Sequence, residues 1–347
     1  MKKLFAFMSL LVVAALLLTA CAPTETEAPT EAATEAPTEV ATTEEPQPTE
    51  PPAPELGTPE NPLIMALAPS ATTDTLIAGG QAIADRLSEM TGYTIQIVVP
   101  TNYAALVEAM GAGNAHIGWL PPVAYIVAHE KGYADVGLIT LRNGADHYSF
   151  QVVVNAARVA DGTFTVYYDP ASGTNTADAA TALAQFNGKR PCYTDPLSAS
   201  GYLVPAGFLA TNGISTRAGA WVQGHPTVIK SIYLSPRGEI CDFGTTYVDA
   251  RTAVTSDFPD VNDQVVIVWV SDPLIPNDNV SYISSMPQEM RDNLTNALLE
   301  LAATEDGIQL LRDGGYSIGG LAAADDTFYD EFRVFLESIN FDINDFR

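Results

Sequence analysis

The chain has 347 residues and carries 16 Lys and Arg against 42 Asp and Glu, a formal net charge of −26. So acidic a chain is a poor partner for nucleic acid or anionic lipid. An anionic ligand would gain nothing from long-range attraction, so any anion site has to work through local donors.

In chain order, residues 1–20 read as a signal peptide: Met1-Lys2-Lys3, an apolar run over 4–18, then small residues before a cysteine. The run falls short of the roughly 20 residues a spanning helix needs, and it resembles a bacterial lipobox that leaves Cys21 as a lipidated first residue. Residues 22–60 are almost wholly Thr, Glu, Pro and Ala, with ten Glu and no Lys or Arg. That composition cannot bury a core, so 21–60 is expected to be an extended tether. Without Lys2, Lys3 and the tether glutamates, the remaining body still holds 14 basic and 32 acidic residues.

From residue 61 the pattern alternates strand-like runs with helical ones, which predicts an α/β fold with largely parallel sheets. Residues 63–68 read as strand, 75–91 as helix and 94–99 as strand. Thr101 or Asn102 caps a helix through Met110, 116–119 is a strand, Pro121 and Pro122 open a helix, and 135–141 is the next strand. The β-branched segment 148–155 carries the chain into a second lobe, where 164–168, 189–193, 239–243 and 264–270 read as strands. The last returns, and the helical patterns at 287–304 and 326–339 are assigned to the first lobe. Lobe 1 is thus 61–150 plus 271–347, and lobe 2 is 151–270. Two crossing strands make a hinge, with a ligand cleft between the lobes.

The most informative stretch is Asp195-Pro196-Leu197-Ser198-Ala199-Ser200-Gly201-Tyr202. It sets two hydroxyls and several backbone N–H groups where a loop enters a helix, and the unpartnered first-turn amides there suit an anion. Pro205 sits just past the first turn, so the helix has to start late or bend. Which serine caps and which would donate to a ligand stays open. Cys192 and Cys241 either pair as a disulfide, which an exported protein permits, or remain two buried thiols.

No catalytic site, metal or cofactor is expected. Gly315-Tyr316-Ser317-Ile318-Gly319 fits the G-x-S-x-G pattern of hydrolases, but it follows a helix rather than a strand, and the last histidine, His225, precedes it. His116, His129, His147 and His225 form no His-x-x-x-His pair, and no Cys-x-x-Cys occurs. No Walker A motif is present, so energy for any transport would come from a partner.

Taken together, several pieces resemble the phosphate/phosphonate-type periplasmic solute-binding proteins of ABC importers. They are Thr73-Asp74-Thr75, Asn102 with Tyr103 through Ala109, His116-Ile117-Gly118-Trp119-Leu120-Pro121-Pro122 with Tyr125, the 195–202 stretch, Gly224-His225, Asp242 through Asp249, and Ile275-Pro276-Asn277-Asp278. The resemblance implies a type II periplasmic-binding-protein (Venus flytrap) fold: two α/β lobes that close on a small oxyanion and deliver it to an ABC permease with its ATPase. The membrane would be reached only through the lipid anchor. Carried over by position, Ser198, Ser200 and the amides from Ala199 to Gly201 would hold the oxyanion, where the family often has Ser-Thr-Ser-Gly. Tyr103 and Tyr125 would donate from the first lobe, or simply pack near helix starts. His225 would approach from the second lobe, and Asp249 and Asp278 would face the far end of the ligand. Two carboxylates beside an anion repel it unless the ligand brings a proton or an amine, so they would favour an aminoalkylphosphonate or a protonated phosphate or phosphite over sulfate. A sulfonate or other small organic ligand on the same scaffold, or a ligand-sensing lipoprotein, are the alternatives.

Overall fold

The short apolar runs assemble into two separate sheets, seen in a computed structural model that describes residues 54–316 and 318–341. The expected signal peptide, Cys21 and the tether as far as residue 53 lie outside the described residues. The tether's expected end at residue 60 is too late. Leu56 packs against the core, and the Gly57 carbonyl accepts the Thr94 amide at 2.7 Å.

The first sheet is built from β1 (Leu63–Leu67), β2 (Ile95–Val98), β3 (Ile117–Leu120) and β4 (Ala134–Leu141), joined by helices α1 (Thr73–Thr91), α2 (Tyr103–Gly111) and α3 (Pro122–Glu130). Capping follows the sequence. Thr72 accepts the Thr75 amide ahead of α1, Asn102 accepts the Ala105 amide ahead of α2, and Pro122 opens α3. Helix α1 fully buries Leu76, Ile83 and Leu87, each worth about 1.5–3 kcal/mol of burial.

The chain then passes through β5 (His147–Tyr148) into β6 (Phe150–Asn155) of the second sheet. That sheet continues with β7 (Pro191–Tyr193), helix α4 (Val204–Thr211), β8 (Ala220–Trp221), helix α5 (His225–Tyr233), β9 (Phe243–Tyr247) and β10 (Val265–Val270). It returns through β11 (Ile275–Pro276), which pairs antiparallel with β5 as the two-strand hinge. Strand β12 (Asn279–Ile283), helices α6 (Gln288–Ala302) and α7 (Glu305–Leu311), β13 (Gly320–Ala323) and helix α8 (Asp330–Ser338) complete the chain.

Strand order is β13-β4-β12-β3-β1-β2 in the first sheet and β8-β7-β9-β6-β10 in the second. The sheets are mixed, not largely parallel. β12 runs antiparallel to both β3 and β4, and β6 runs antiparallel to both β9 and β10. The reason lies in the hinge: β6 and β12 each start at the crossing and run away from it, whereas β1, β3, β4, β7 and β9 run towards it. The carboxyl ends of those strands therefore face one another, the usual place for a ligand crevice in α/β sheets.

Three further expectations change. At 164–168 no strand of the second sheet forms: Tyr168–Asp169 pairs only with Thr174–Asn175, and Phe164 is buried by ring packing against Phe186 at 5.4 Å. The strand expected at 239–243 begins only at Phe243, which pairs with Pro191 of β7, and Cys241 just before it is bonded to Cys192 of β7, with Cα atoms 5.5 Å apart. The C-terminal helical stretch does not belong to the first lobe alone. Tyr329 packs on Tyr125 at 4.6 Å, but Phe335 of α8 packs on Phe208 of α4 at 6.3 Å.

Candidate functional site

The 195–202 stretch turns into a helix by way of a wide turn, Ala199–Leu203 with π-type bonding, before α4 begins. Pro205 explains this, since its ring would clash with the Gly201 carbonyl in a regular helix. The displaced carbonyl is not left bare: the Thr245 hydroxyl donates to it at 2.9 Å. Gly201 is required by close approach, since a Cβ there would collide with the Thr194 side chain and with Ser198 Oγ.

Ser198 Oγ accepts the Gly201 amide at 3.1 Å, so Ser198 is the cap, with its hydroxyl proton left to donate. The Gly201 amide is therefore committed to the cap and is not a ligand donor, contrary to the carried-over expectation. Ser200 Oγ accepts from the Tyr148 hydroxyl at 3.5 Å and does not line the cleft. Ser198 and the Ala199 amide region are what this turn presents to it.

The cavity there has a volume of about 20 Å³. Ala68, Ser70, Tyr103, Pro121, Arg142 and Asp278 line it from the first lobe, Ser198, Ala199, His225 and Tyr247 from the second. Tyr148 of the hinge strand and Gly315 complete the wall. Of the residues expected from sequence, Tyr103, Ser198, Ala199, His225 and Asp278 are brought together.

Two are not. The Tyr125 hydroxyl donates to Asp326 Oδ1 at 2.9 Å inside the first lobe. Asp249 is gripped by Arg251, whose Nη2 lies 2.7 Å from its carboxylate. Burial works against ionisation of Asp249, but the Arg251 hydrogen bonds and charge outweigh it and hold the carboxyl below its ordinary range.

Arg142 is the residue that sequence reasoning missed. It directly follows β4 and opens a tight turn in which Asn143 (φ 52°) and Gly144 (φ 82°) lead to Ala145, bonded back to Arg142 at 2.8 and 3.0 Å. Asn-Gly with both φ positive is the signal of a two-residue hairpin turn, and it fixes where Arg142 points. The Asn277 side-chain amide clamps the same turn by donating to the carbonyls of Thr140 and Ala145, each at 2.8 Å. The guanidinium lies 4.8 Å from the Tyr148 ring centre and 5.8 Å from that of Tyr247, and its Nη2 meets Asp278 Oδ2 at 3.2 Å. Its Nε is buried with no hydrogen-bond partner among the described residues.

Arg142 changes the electrostatics expected of this cleft. Burial pushes the Asp278 carboxyl above the ordinary carboxylate range, while Arg142 beside it pulls the other way. Ionised, the pair is neutral; protonated, Asp278 becomes a donor beside a full positive charge. Either state accepts an anion, so Asp278 does not demand an amine. His225 is 3% exposed, and its Nδ1 also lacks a partner among the described residues. Burial, with some help from the Arg142 charge, drives its pKa down to about 3, so its ring is neutral at pH 7.

Across the mouth, Asp195 joins the lobes. Its Oδ1 accepts the Leu197 amide at 2.8 Å, and its Oδ2 accepts the Tyr103 amide of the opposite lobe at 3.3 Å. At the 315–319 segment, Gly315 with φ 91° ends the helical stretch after α7, as expected of a helix-ending loop, and Ser317 lies outside the described residues. A strand does not lead into it.

Residues 65–329 match the family model described as the periplasmic substrate-binding protein of phosphonate ABC transporters. The chain belongs to that family. Among phosphonate-type binding proteins, the "Phosphate-import protein PhnD" of Mycolicibacterium smegmatis is 29% identical over 158 residues, which is 46% of this chain and 44% of that relative. The aligned stretch thus spans less than half of the curated relative's length. A binding protein of an ABC phosphonate transporter from Pseudomonas aeruginosa superposes with a TM-score of 0.65 at 18% identity, covering 80% of this chain and 87% of that one. PhnD1 of Prochlorococcus marinus, solved with methylphosphonate, gives a TM-score of 0.68 at 14% identity, covering 81% and 98%. These likenesses establish the periplasmic-binding-protein fold, with two lobes and a hinge.

Proposed function

We propose that this protein is the extracytoplasmic receptor of an ABC importer, closing on a small tetrahedral phosphorus oxyanion such as phosphate, phosphite or a short phosphonate and handing it to a permease. The observation that carries this reading is the convergence of Ser198, the Ala199 turn, Arg142 and His225 on one small cavity, with buried nitrogens of Arg142 and His225 lacking partners. Family membership supports it, as do the phosphate named for the mycobacterial relative and the methylphosphonate bound in the Prochlorococcus structure. A buried donor without a partner, as Arg142 Nε is, costs about 1–3 kcal/mol, and an anion in the cavity would offset that cost.

The lobe boundaries at 150 and 270 are proposed as the hinge crossings. Anchoring through a lipidated Cys21, with the tether holding the body off the membrane, is likewise proposed from the sequence pattern. No helix among the described residues is long and apolar enough to cross a membrane. Binding without turnover is part of the proposal, supported by membership in a family of transport binding proteins. Isothermal titration of the purified protein against phosphate, phosphite and methylphosphonate, with sulfate and taurine as controls, tests the ligand class. Binding of a control alone would remove it.

A further inference from the structure

Resting on that reading, we infer that Arg142 sets ligand choice in this cleft, so that it takes a compact phosphorus oxyanion without a cationic group in preference to an aminoalkylphosphonate. The argument begins with what an ammonium would need. Both carboxylates expected to receive one are already occupied: Asp278 by Arg142 at 3.2 Å, and Asp249 by Arg251 outside the cavity. An ammonium reaching Asp278 would have to share it with a guanidinium at close range, a like-charge contact in a buried place.

Geometry holds Arg142 there. Its faces are covered by Tyr148 and Tyr247, its turn is clamped by Asn277, and its side chain is 18% exposed. What remains unmet is its buried Nε, an N–H donor. The other groups facing it are Tyr103, Tyr148 and Tyr247, phenols and not acids, and His225, which is neutral. An oxyanion satisfies the Arg142 Nε donor, and an ammonium, which only donates, cannot.

The test is isothermal titration at pH 7.5 of the full chain with phosphate, phosphite, methylphosphonate and 2-aminoethylphosphonate, repeated on Arg142→Gln. The wild type is expected to bind at least one of the first three at least tenfold more tightly than 2-aminoethylphosphonate. Arg142→Gln should weaken that ligand by ten- to a hundredfold and narrow the gap, because Asp278 is released to receive an ammonium. Preference of the wild type for 2-aminoethylphosphonate overturns the inference while leaving the phosphorus-oxyanion reading intact, even if the variant does not fold. An unchanged ratio in a folded Arg142→Gln does the same. If none of the four binds, the reading itself fails and the inference with it.

Discussion

Ser198 has two roles that a single substitution separates by readout. Its oxygen caps the turn through the Gly201 amide, and its proton is free for a ligand in the cavity. Ser198→Ala should therefore lose about 1 kcal/mol of stability from the cap, seen in denaturant titration. It should also lose a charge-assisted donor worth about 1.5–3 kcal/mol, a drop in affinity of roughly 10- to 150-fold. Ser200→Ala, changing a hydroxyl that serves Tyr148 and lies off the cavity, should cost much less affinity. His225 adds a pH signature. Its pKa falls from 6.5 to about 3 on folding, so between those values the unfolded chain binds the extra proton and stability rises with pH. The neutral ring's contribution is complete above pH 6.5 and drains away as pH falls towards 3, reaching about 3 kcal/mol lost at pH 4. His225→Gln should flatten that part of the stability profile. A profile unchanged by the substitution would contradict the buried neutral ring.

At the scale of elements, the anion-facing turn depends on a neighbour in another strand. Pro205 forces the turn open, and the Gly201 carbonyl that this frees is met by the Thr245 hydroxyl of β9, itself fully buried. Thr245→Val keeps the shape and removes this donor, leaving only the long Thr194 amide bond at 3.4 Å, so it should destabilise the protein by about 0.5–1.5 kcal/mol and lower its melting temperature. Thr245→Ser should restore most of the loss. Local elements were largely legible because their signals are local: Asn102 caps α2, Pro122 opens α3, and the strain at Pro205 is visible from its spacing to Ser198. Strand identity failed where burial came from elsewhere. Phe164 is apolar because it packs on Phe186, not because it joins a ladder. The antiparallel insertion of β12 between β3 and β4 was not legible either, since it depends on which way the chain leaves the hinge.

In the whole molecule, the cleft is an assembly of distant pieces, and this is why the site was only partly readable. Tyr103, Ser198, His225 and Asp278 announce themselves through motifs, but Arg142 meets Asp278 across 136 positions and has no motif of its own. Its one local signal is a lone basic residue at the end of an apolar strand, before Asn143-Gly144, in a chain with only 16 basic residues. Tyr125 shows the same distance effect, because its partner Asp326 lies 201 positions away and only the fold reveals that its hydroxyl is engaged within the first lobe. The lobes meet through the β5–β11 hinge, the Asp195–Tyr103 latch and helix α8.

The most direct test of the account is a crystal structure with phosphate or methylphosphonate bound. The account predicts a tetrahedral anion between the lobes, within hydrogen-bond distance of Ser198 Oγ, the Ala199 amide and Arg142 Nε, with Asp278 still on Arg142. An anion seated elsewhere, or one held in the cleft while Arg142 swings out to solvent, would contradict it.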